Sequence, residues 1–380
     1  MDLKDYREQL DKIDDQILRL FLDRMEISAE IGRWKQKQQL PVLDVRREKE
    51  KLRCLEEKSP EEMGEYTVAL FSLIMELSRC SQNRILNSSS AEMRAIEEAL
   101  RNTPPLFPEK ATVACQGVEG AYSEIACGKL FQRPNVFFFR SFEAVFSAIE
   151  KGLCEYGVIP VENSTAGSVN AVYDLMRQHD FRIVRSARVK VDHNLLVRPG
   201  AKMEEIREIY SHAQAISQCS SFLQTLPNVR VIPCENTAVA ARLVADSDIP
   251  GVAALSSRAC SKLYGLEILK EDVQNSGNNY TRFICISKRL EIYPGANRTS
   301  LMMVLPHEPG SLYKVLSRFY ALGINMNKLE SRPMPERSFE FMFYFDLDTS
   351  VYSPRFVQLM GELRDLSEEF EYLGSYSEVI

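Results

Sequence analysis

A chain of 380 residues is long enough to hold two or three independent cores rather than one. A hydrophobic fraction of 45% beside 26% charged residues excludes both a disordered and a membrane-embedded chain, and a net charge of -6 with the signs interspersed gives nucleic acid no advantage over a small-molecule partner. The N-terminus is charged from its second residue and no apolar run approaches the roughly 18 to 20 residues that cross a bilayer, so the expected location is cytoplasmic, with no membrane partner.

The first predicted element is a long helix from residue 3 to about residue 37, since Leu3, Tyr6, Leu10, Ile13, Ile17, Leu20, Ile27, Ile31 and Trp34 recur by threes and fours with a single gap. A short helix opens at Asp44 after Pro41, and a third runs from about Ser59 toward Arg84. Three helices of such unequal length cannot enclose a core. The long apolar stripe is therefore expected to bury itself against a second copy, giving an intertwined all-α homodimer over residues 1–88. Serines and then three prolines around a short helical piece mark residues 89–110 as a linker.

From Thr112 the pattern changes to β-rich runs (TVAC, NVFFF, YGVIPV, VRVIP, GVAAL) alternating with helical stretches, and a late strand at TRFICIS suggests that the chain returns to its first lobe. A two-lobed α/β domain at 111–290 is predicted, with the cleft between lobes as the default site. Residues 297–376 read strand, helix, strand, strand, helix, strand, a βαββαβ ferredoxin-like module. The fold class is thus multidomain: helical, then α/β, then ferredoxin-like.

The gap in the long stripe falls at Arg24, a permanent charge where an apolar residue belongs, and its burial calls for an anion. A lone arginine could equally snorkel or meet a structural acid. Lys35 lies three turns on. Arg7 lies nearly five turns back, so an antiparallel dimer could bring Arg7 of one chain near Arg24 of the other, and two guanidinium groups suit a dicarboxylate. Asp44, Arg47, Glu48 and Lys51 share one face of the second helix, and Ser78 and Gln82 share one face of the third. Each set alone reads as a solvated surface. The combination Arg7, Arg24, Lys35, Asp44, Arg47, Glu48, Ser78 and Gln82 resembles the pocket of the all-helical chorismate mutase family. That resemblance implies that Arg24 and the partner subunit's Arg7 grip two carboxylates, and that Glu48 and Asp44, aided by Arg47 and Ser78, address the ring hydroxyl. Lys35 and Gln82 would then donate to the breaking ether oxygen, which gains charge in the transition state.

In the second region, ACQGVEGAYSE places Gly117 and Gly120 between a strand and a helix that Ser123 could cap, a turn whose N–H groups can face an anion. No G-x-G-x-x-G occurs, which argues against a nicotinamide enzyme, and no cofactor is expected. Polar clusters fall at strand ends: Glu162, Asn163 and Ser164; Ser211, His212, Gln214 and Gln218; Asn279 and Thr281. Singly, each could be turn or cap chemistry. PVENSTAGSV, SHAQAISQC and NYTRF resemble the signature segments of the prephenate dehydratase family, departing at Ala213, where the family often has proline. The resemblance implies Thr281 as the catalytic hydroxyl, with Glu162, Asn163, Ser164, Ser211 and Gln218 in the pocket. The proton donor is left open, Glu162 being one guess.

HEPGSLYKVL and LESRP resemble the ACT regulatory domain of phenylalanine-inhibited dehydratases, with Ser311 in place of a frequent alanine. An amino-acid effector is implied, its carboxylate at the helix start of Gly310, Ser311 and Leu312 and its ammonium near Asn325 and Glu330, with Ser331 also among the effector residues. The expected reading is an enzyme converting chorismate to prephenate and prephenate to phenylpyruvate, inhibited by phenylalanine. The alternatives are a non-enzymatic amino-acid sensor and an enzyme with one activity only. Nine cysteines without a CxxC pair and four scattered histidines predict free thiols and no metal.

Overall fold

The computed structural model describes residues 2–87, 91–334, 337 and 340–380. They form two compact units, Met1–Ala95 with Met303–Ile324 and Tyr352–Phe370, and Ile96–Met302 with Asn325–Val351 and Glu371–Ile380.

Helix α1 (Leu3–Gln38) starts at a capping box in which Asp2 accepts from the N–H groups of Lys4 and Asp5 while Asp5 accepts from that of Asp2, and it stops where Gln39 turns left-handed at φ 54°. Helix α2 (Val45–Glu56) is capped by Asp44, and α3 (Gly64–Asn87) packs on both. Only Ser28 and Gly32 of α1 are buried. The predicted stripe is exposed along its length, Leu3 at 66% and Trp34 at 57%. At Gly32 α1 passes so close to α3 that an added Cβ would sit 3.1 Å from both Cα and Cγ of Gln82.

The helical piece expected within the predicted linker takes up twelve of its residues. Ala91–Asn102 forms α4, a run of good helix formers that buries Ile96 and Ala99 before the prolines end it. The expected seam at residues 88 and 89 lies outside the described residues.

The α/β region runs β1 (Lys110–Gln116), α5 (Tyr122–Leu130), β2 (Arg133–Phe139), α6 (Phe142–Glu150), β3 (Tyr156–Asn163), β4 (Gly167–Ser168), α7 (Asn170–Met176), β5 (Arg182–Lys190), β6 (Asn194–Val197), β7 (Glu208–His212), α8 (Ala213–Gln218), α9 (Ser220–Leu223), β8 (Arg230–Cys234), α10 (Thr237–Asp246), β9 (Val252–Ser256), α11 (Arg258–Tyr264), β10 (Glu267–Lys270) and β11 (Tyr280–Ser287). The C-terminal part follows as β12 (Arg298–Val304), α12 (Ser311–Ala321), β13 (Asn325–Pro333), β14 (Phe341–Asp348), α13 (Pro354–Leu363), β15 (Glu369–Tyr376) and β16 (Glu378–Val379).

One sheet has the order β16-β5-β11-β3-β1-β2 with β4 on β3, the second β10-β6-β9-β7-β8, the third β13-β14-β12-β15. The late strand β11 does return to the first lobe, inserting antiparallel between β3 and β5 and setting Thr281 opposite Asn163. The third sheet has the strand order of a βαββαβ module. Its helices belong by compactness to the first unit, where α13 packs on α3. There Arg318 of α12, its side chain 2% exposed, meets Glu76 of α3 at 2.6 Å and Glu362 of α13 at 3.7 Å, as ion pairs rather than well-directed hydrogen bonds.

Two candidate active sites

The first site is a cavity of about 460 Å³ among α1, α2 and α3. Arg24 reaches it from α1 and donates to the hydroxyl of Ser78 and, at 3.3 Å, to the carbonyl of Ile74. Burial lowers the Arg24 pKa and the charge of Glu48 opposes that, so the guanidinium stays cationic. Lys35, near the end of α1, donates to the carbonyl of Val42. Asp44 is held as a helix cap by the Arg47 N–H at 3.0 Å.

Gln82 is fixed by its neighbours. Ser28 Oγ donates to the carbonyl of Ser78 at 3.2 Å, so it accepts from Gln82 Nε2 at 3.0 Å, and the second Gln82 N–H remains to be given. The lining holds five cationic side chains, Arg24, Lys35, Arg47, Lys51 and Arg79, against two carboxylates, Asp44 and Glu48. Such an excess suits a small dianion.

Seven of the eight predicted residues line this cavity; Arg7 does not. It precedes Arg24 by seventeen residues on one continuous helix, about 26 Å at 1.5 Å per residue, and cannot bend back to its own chain's cavity. Arg79 was missed by the sequence. It donates to both carboxylate oxygens of Glu48, yet it sits one position past Ser78 and off the i, i+4 pattern that drew notice.

The second site is a cleft of about 440 Å³ between the first two sheets. Asn163 ends β3, Thr281 is the second residue of β11, Gln218 closes α8, and all three line it. The amides of Asn163, Asn279 and Gln218 have one consistent orientation. The backbone N–H groups of Thr165 and Ala166 donate to Asn163 Oδ1 at 3.1 and 2.9 Å, which turns Asn163 Nδ2 the other way, toward Asn279 Oδ1 at 2.8 Å and Thr281 Oγ1 at 3.0 Å. Asn279 then spends its own N–H on Gln218 Oε1 at 3.0 Å, and Gln218 donates to Thr165 Oγ1 at 2.6 Å. Thr281 accepts, so its hydroxyl hydrogen is left to donate into the cleft.

Several predicted residues fall elsewhere. Glu162 precedes Asn163 on β3 and so faces the opposite side, where Lys328 holds it at 2.9 Å; it is not on the cleft lining and does not stand behind Thr281. Ser211 is fully buried and donates to the carbonyl of Leu255. Ser164 donates to the Asn278 carbonyl and accepts from the Tyr280 N–H, a brace for the β3–β11 junction. The Gly117 and Gly120 N–H groups, expected to face an anion, are taken by the Phe139 carbonyl and Glu124. Helix α5 is capped at Ala121, not by Ser123, which is buried inside the helix.

Thr165, Asn279 and His193 complete the network, and Glu235 and His212 lie on the lining as titratable groups. Thr165 bonds Asn163 within one motif and Asn279 stands two residues before Thr281, but no sequence spacing joins these segments to each other or to His193, because the hydrogen bonds between them span 25 to 118 residues.

Of the predicted effector residues, Gly310 turns left-handed at φ 87° to start α12, with Ser311 buried beside it and Leu312 next in the helix. Asn325 opens β13, and Glu330 on the same strand, followed by Ser331, accepts from Ser168 and lies 3.5 Å from Lys328. The two groups belong to different compact units. No helix among the described residues is long and apolar enough to cross a membrane.

Family models match at both sites, chorismate mutase type II over residues 6–83 and prephenate dehydratase over 113–291. The bifunctional chorismate mutase/prephenate dehydratase of Escherichia coli is 31% identical, the match covering 97% of this chain and 95% of that protein. Among solved structures, a prephenate dehydratase from Arthrobacter aurescens in complex with L-Phe aligns at TM-score 0.64 and 28% identity, over 70% of this chain and 89% of its own. A quorum-quenching acylase aligns equally well, at TM-score 0.64 and 30% identity over 70% of this chain and 97% of its own.

Proposed function

The chain belongs to the family of bifunctional chorismate mutase/prephenate dehydratases, and on that premise we propose how its two cavities divide the work. The observation that carries the division is their contrast: a cavity lined by five cations among α1, α2 and α3, and an amide and hydroxyl cleft in the α/β region. The domain ranges we assign are 1–88 for the mutase, 111–290 for the dehydratase and 297–376 for the regulatory module, with 89–110 between the first two.

In the mutase cavity Arg24 and the partner subunit's Arg7 hold the two carboxylates of chorismate, while Glu48 and Asp44 accept from the ring hydroxyl, with Arg47 and Ser78 supporting them. One C–O bond breaks and one C–C bond forms within the same molecule, so no proton or electron has to be supplied. The cavity contributes orientation and charge: the ether oxygen turns negative as its bond stretches, and Lys35 Nζ and the spare Gln82 N–H stabilise it there more than in the ground state. The need for the partner's Arg7, together with the exposed stripe of α1, supports a working unit of at least two copies, a homodimer or a higher homo-oligomer.

In the cleft the carboxylate C–C bond of prephenate breaks, its electron pair closes the aromatic ring, carbon dioxide departs and the ring C–O bond breaks. The leaving hydroxyl takes up one proton to become water. Thr281 donates its hydroxyl hydrogen to that oxygen, held in direction by Asn163. Amide N–H groups are too weakly acidic to recharge it, so the proton enters from the lining, where His212 and Glu235 stand. Aromatisation supplies the driving force, and neither reaction calls for a cofactor.

We assign phenylalanine as inhibitor, the candidates being those the ACT resemblance names, Gly310, Ser311 and Leu312 where α12 starts and Asn325, Glu330 and Ser331 on β13, although the Ser311 N–H is taken by the Glu308 carbonyl at 3.2 Å. One experiment tests the whole reading: chorismate alone, without metal or nicotinamide, is given to the protein with and without millimolar L-phenylalanine, and chorismate, prephenate and phenylpyruvate are followed in time. Phenylpyruvate is expected, slowed by phenylalanine. Prephenate accumulating without phenylpyruvate would remove the second activity, and equal rates in both arms would remove the inhibitor.

A further inference from the structure

The network that directs Thr281 does not stop at Gln218. His193, 2% exposed and placed just before β6, lines the same cleft, and its Nε2 lies 2.9 Å from Gln218 Oε1. That oxygen already accepts from Asn279 and has no hydrogen to give, so Nε2 has to be the protonated ring nitrogen. Nδ1 is buried without a hydrogen-bond partner among the described residues. We propose that His193 is a positioning residue of the dehydratase reaction, whose Nε2–H sets the polarity of an amide chain through Gln218, Asn279 and Asn163 that ends by leaving the Thr281 hydroxyl hydrogen free for substrate.

The chain has two anchors. At one end the backbone N–H groups of Thr165 and Ala166 fix Asn163, and at the other His193 fixes Gln218. With the other tautomer, a bare Nε2 would face Gln218 Oε1 lone pair to lone pair at 2.9 Å. Turning the Gln218 amide to repair that would set its N–H groups against those of Asn279, and turning Asn279 in response would set its N–H groups against Asn163. The conflict would run up to the residue that directs Thr281. Burial lowers the His193 pKa, with the Gln218 bond and the Asp192 charge opposing, and Tyr122 stands edge-on to the ring at 6.5 Å between centroids. Protonation at Nδ1 would leave the Nε2–H in place, so the argument turns on the tautomer and not on the charge.

This inference rests on Thr281 as the donor, and the tests separate the two. With only four histidines in the chain, 15N-histidine labelling of the full-length protein reads the tautomer directly. An Nε2–H signal for His193, assigned by its loss in His193→Gln, is expected, and an Nδ1–H tautomer would overturn the proposal without any variant having to be active. In kinetics, His193→Leu should lower kcat for prephenate by about tenfold to a hundredfold, the scale of a slightly misdirected reacting group, with KM little changed and an unaltered thermal unfolding profile of the variant as the folding control. His193→Gln, which can return an N–H to the Nε2 position, should recover most of the loss. In a Thr281→Val background His193→Leu should cost nothing further. Equal losses in the Leu and Gln variants, or a full second loss on top of Thr281→Val, would overturn the positioning role. Thr281→Val at wild-type rate would instead refute the donor reading itself, whereas an inactive Thr281→Val beside a wild-type His193→Leu would refute only the part given to His193.

Discussion

The helical site and the α/β site are built on opposite principles. Around α1, α2 and α3 the groups we propose for the reaction are long charged side chains on helix faces, and one of them, Arg7, lies about 26 Å of helix away from the cavity it is assigned to serve. In the α/β cleft they are short amides and hydroxyls at strand and helix ends, all from one chain, each pinned by the next. A rearrangement that only redistributes charge is served by placing strong charges loosely. A departure that needs one hydrogen pointed at one oxygen is served by weak groups placed tightly.

The largest expected effect separates the two sites. Lys35→Ala should cut the mutase rate by about a hundredfold to a thousandfold, the usual cost of an oxyanion donor, and leave prephenate turnover intact. Thr281→Val should do the reverse. Rates for chorismate and prephenate measured on each folded variant decide it, and a shared loss would mean that the sites are not independent.

A middle-sized effect tests whether the helical site needs two copies while the cleft does not. Arg7→Ala and Arg24→Ala should each lose mutase activity. Unfolded together and refolded, they should regain roughly a quarter of the wild-type sites, because half the dimers would be mixed and each mixed dimer holds one intact site. Dehydratase activity should not change on mixing. No regain of mutase activity would leave Arg7 without its assigned role.

The smallest effect concerns tightness in the helical site. Gly32→Ala sets a methyl 3.1 Å from the backbone and side chain of Gln82. Overpacking costs about 1 to 3 kcal/mol, and a helical alanine returns roughly 1 kcal/mol over glycine. The melting temperature should therefore fall only slightly, while mutase kcat drops as Gln82 is displaced. An unchanged kcat would show that even Gln82 is loosely placed, sharpening the contrast.

The same contrast decided what the sequence could disclose. The helical site was legible through the resemblance of its residues taken together; the interrupted apolar period marked Arg24, which by itself reads equally as a snorkelling arginine. Arg79 was not legible, since nothing in its own helix reveals that Glu48 is opposite. In the α/β region the strand-helix alternation and the return of β11 could be read, but β5 was passed over because four basic residues in RIVRSARVK mask a strand whose other side chains are buried. Asn163 and Thr281 stood out through the resemblance of their segments. Their link to Asn279, Thr165 and His193 is a matter of register between β3 and β11 and of a neighbouring lobe, which one-dimensional spacing does not encode. Glu162 shows the limit from the other side, for a strand turns adjacent residues to opposite faces and one motif can serve two places.

The buried meeting of Glu76, Arg318 and Glu362 bears on how such a chain can evolve. Each of the three comes from a different helix, and removal of one partner from a buried ion pair costs about 3 to 5 kcal/mol, a large share of what holds a domain folded. The helices at the two ends of the chain are therefore no longer interchangeable parts. A descendant that shed its first 95 residues would inherit Arg318 with Glu362 as its remaining partner, on a helix pair from which the covering α3 had been taken away.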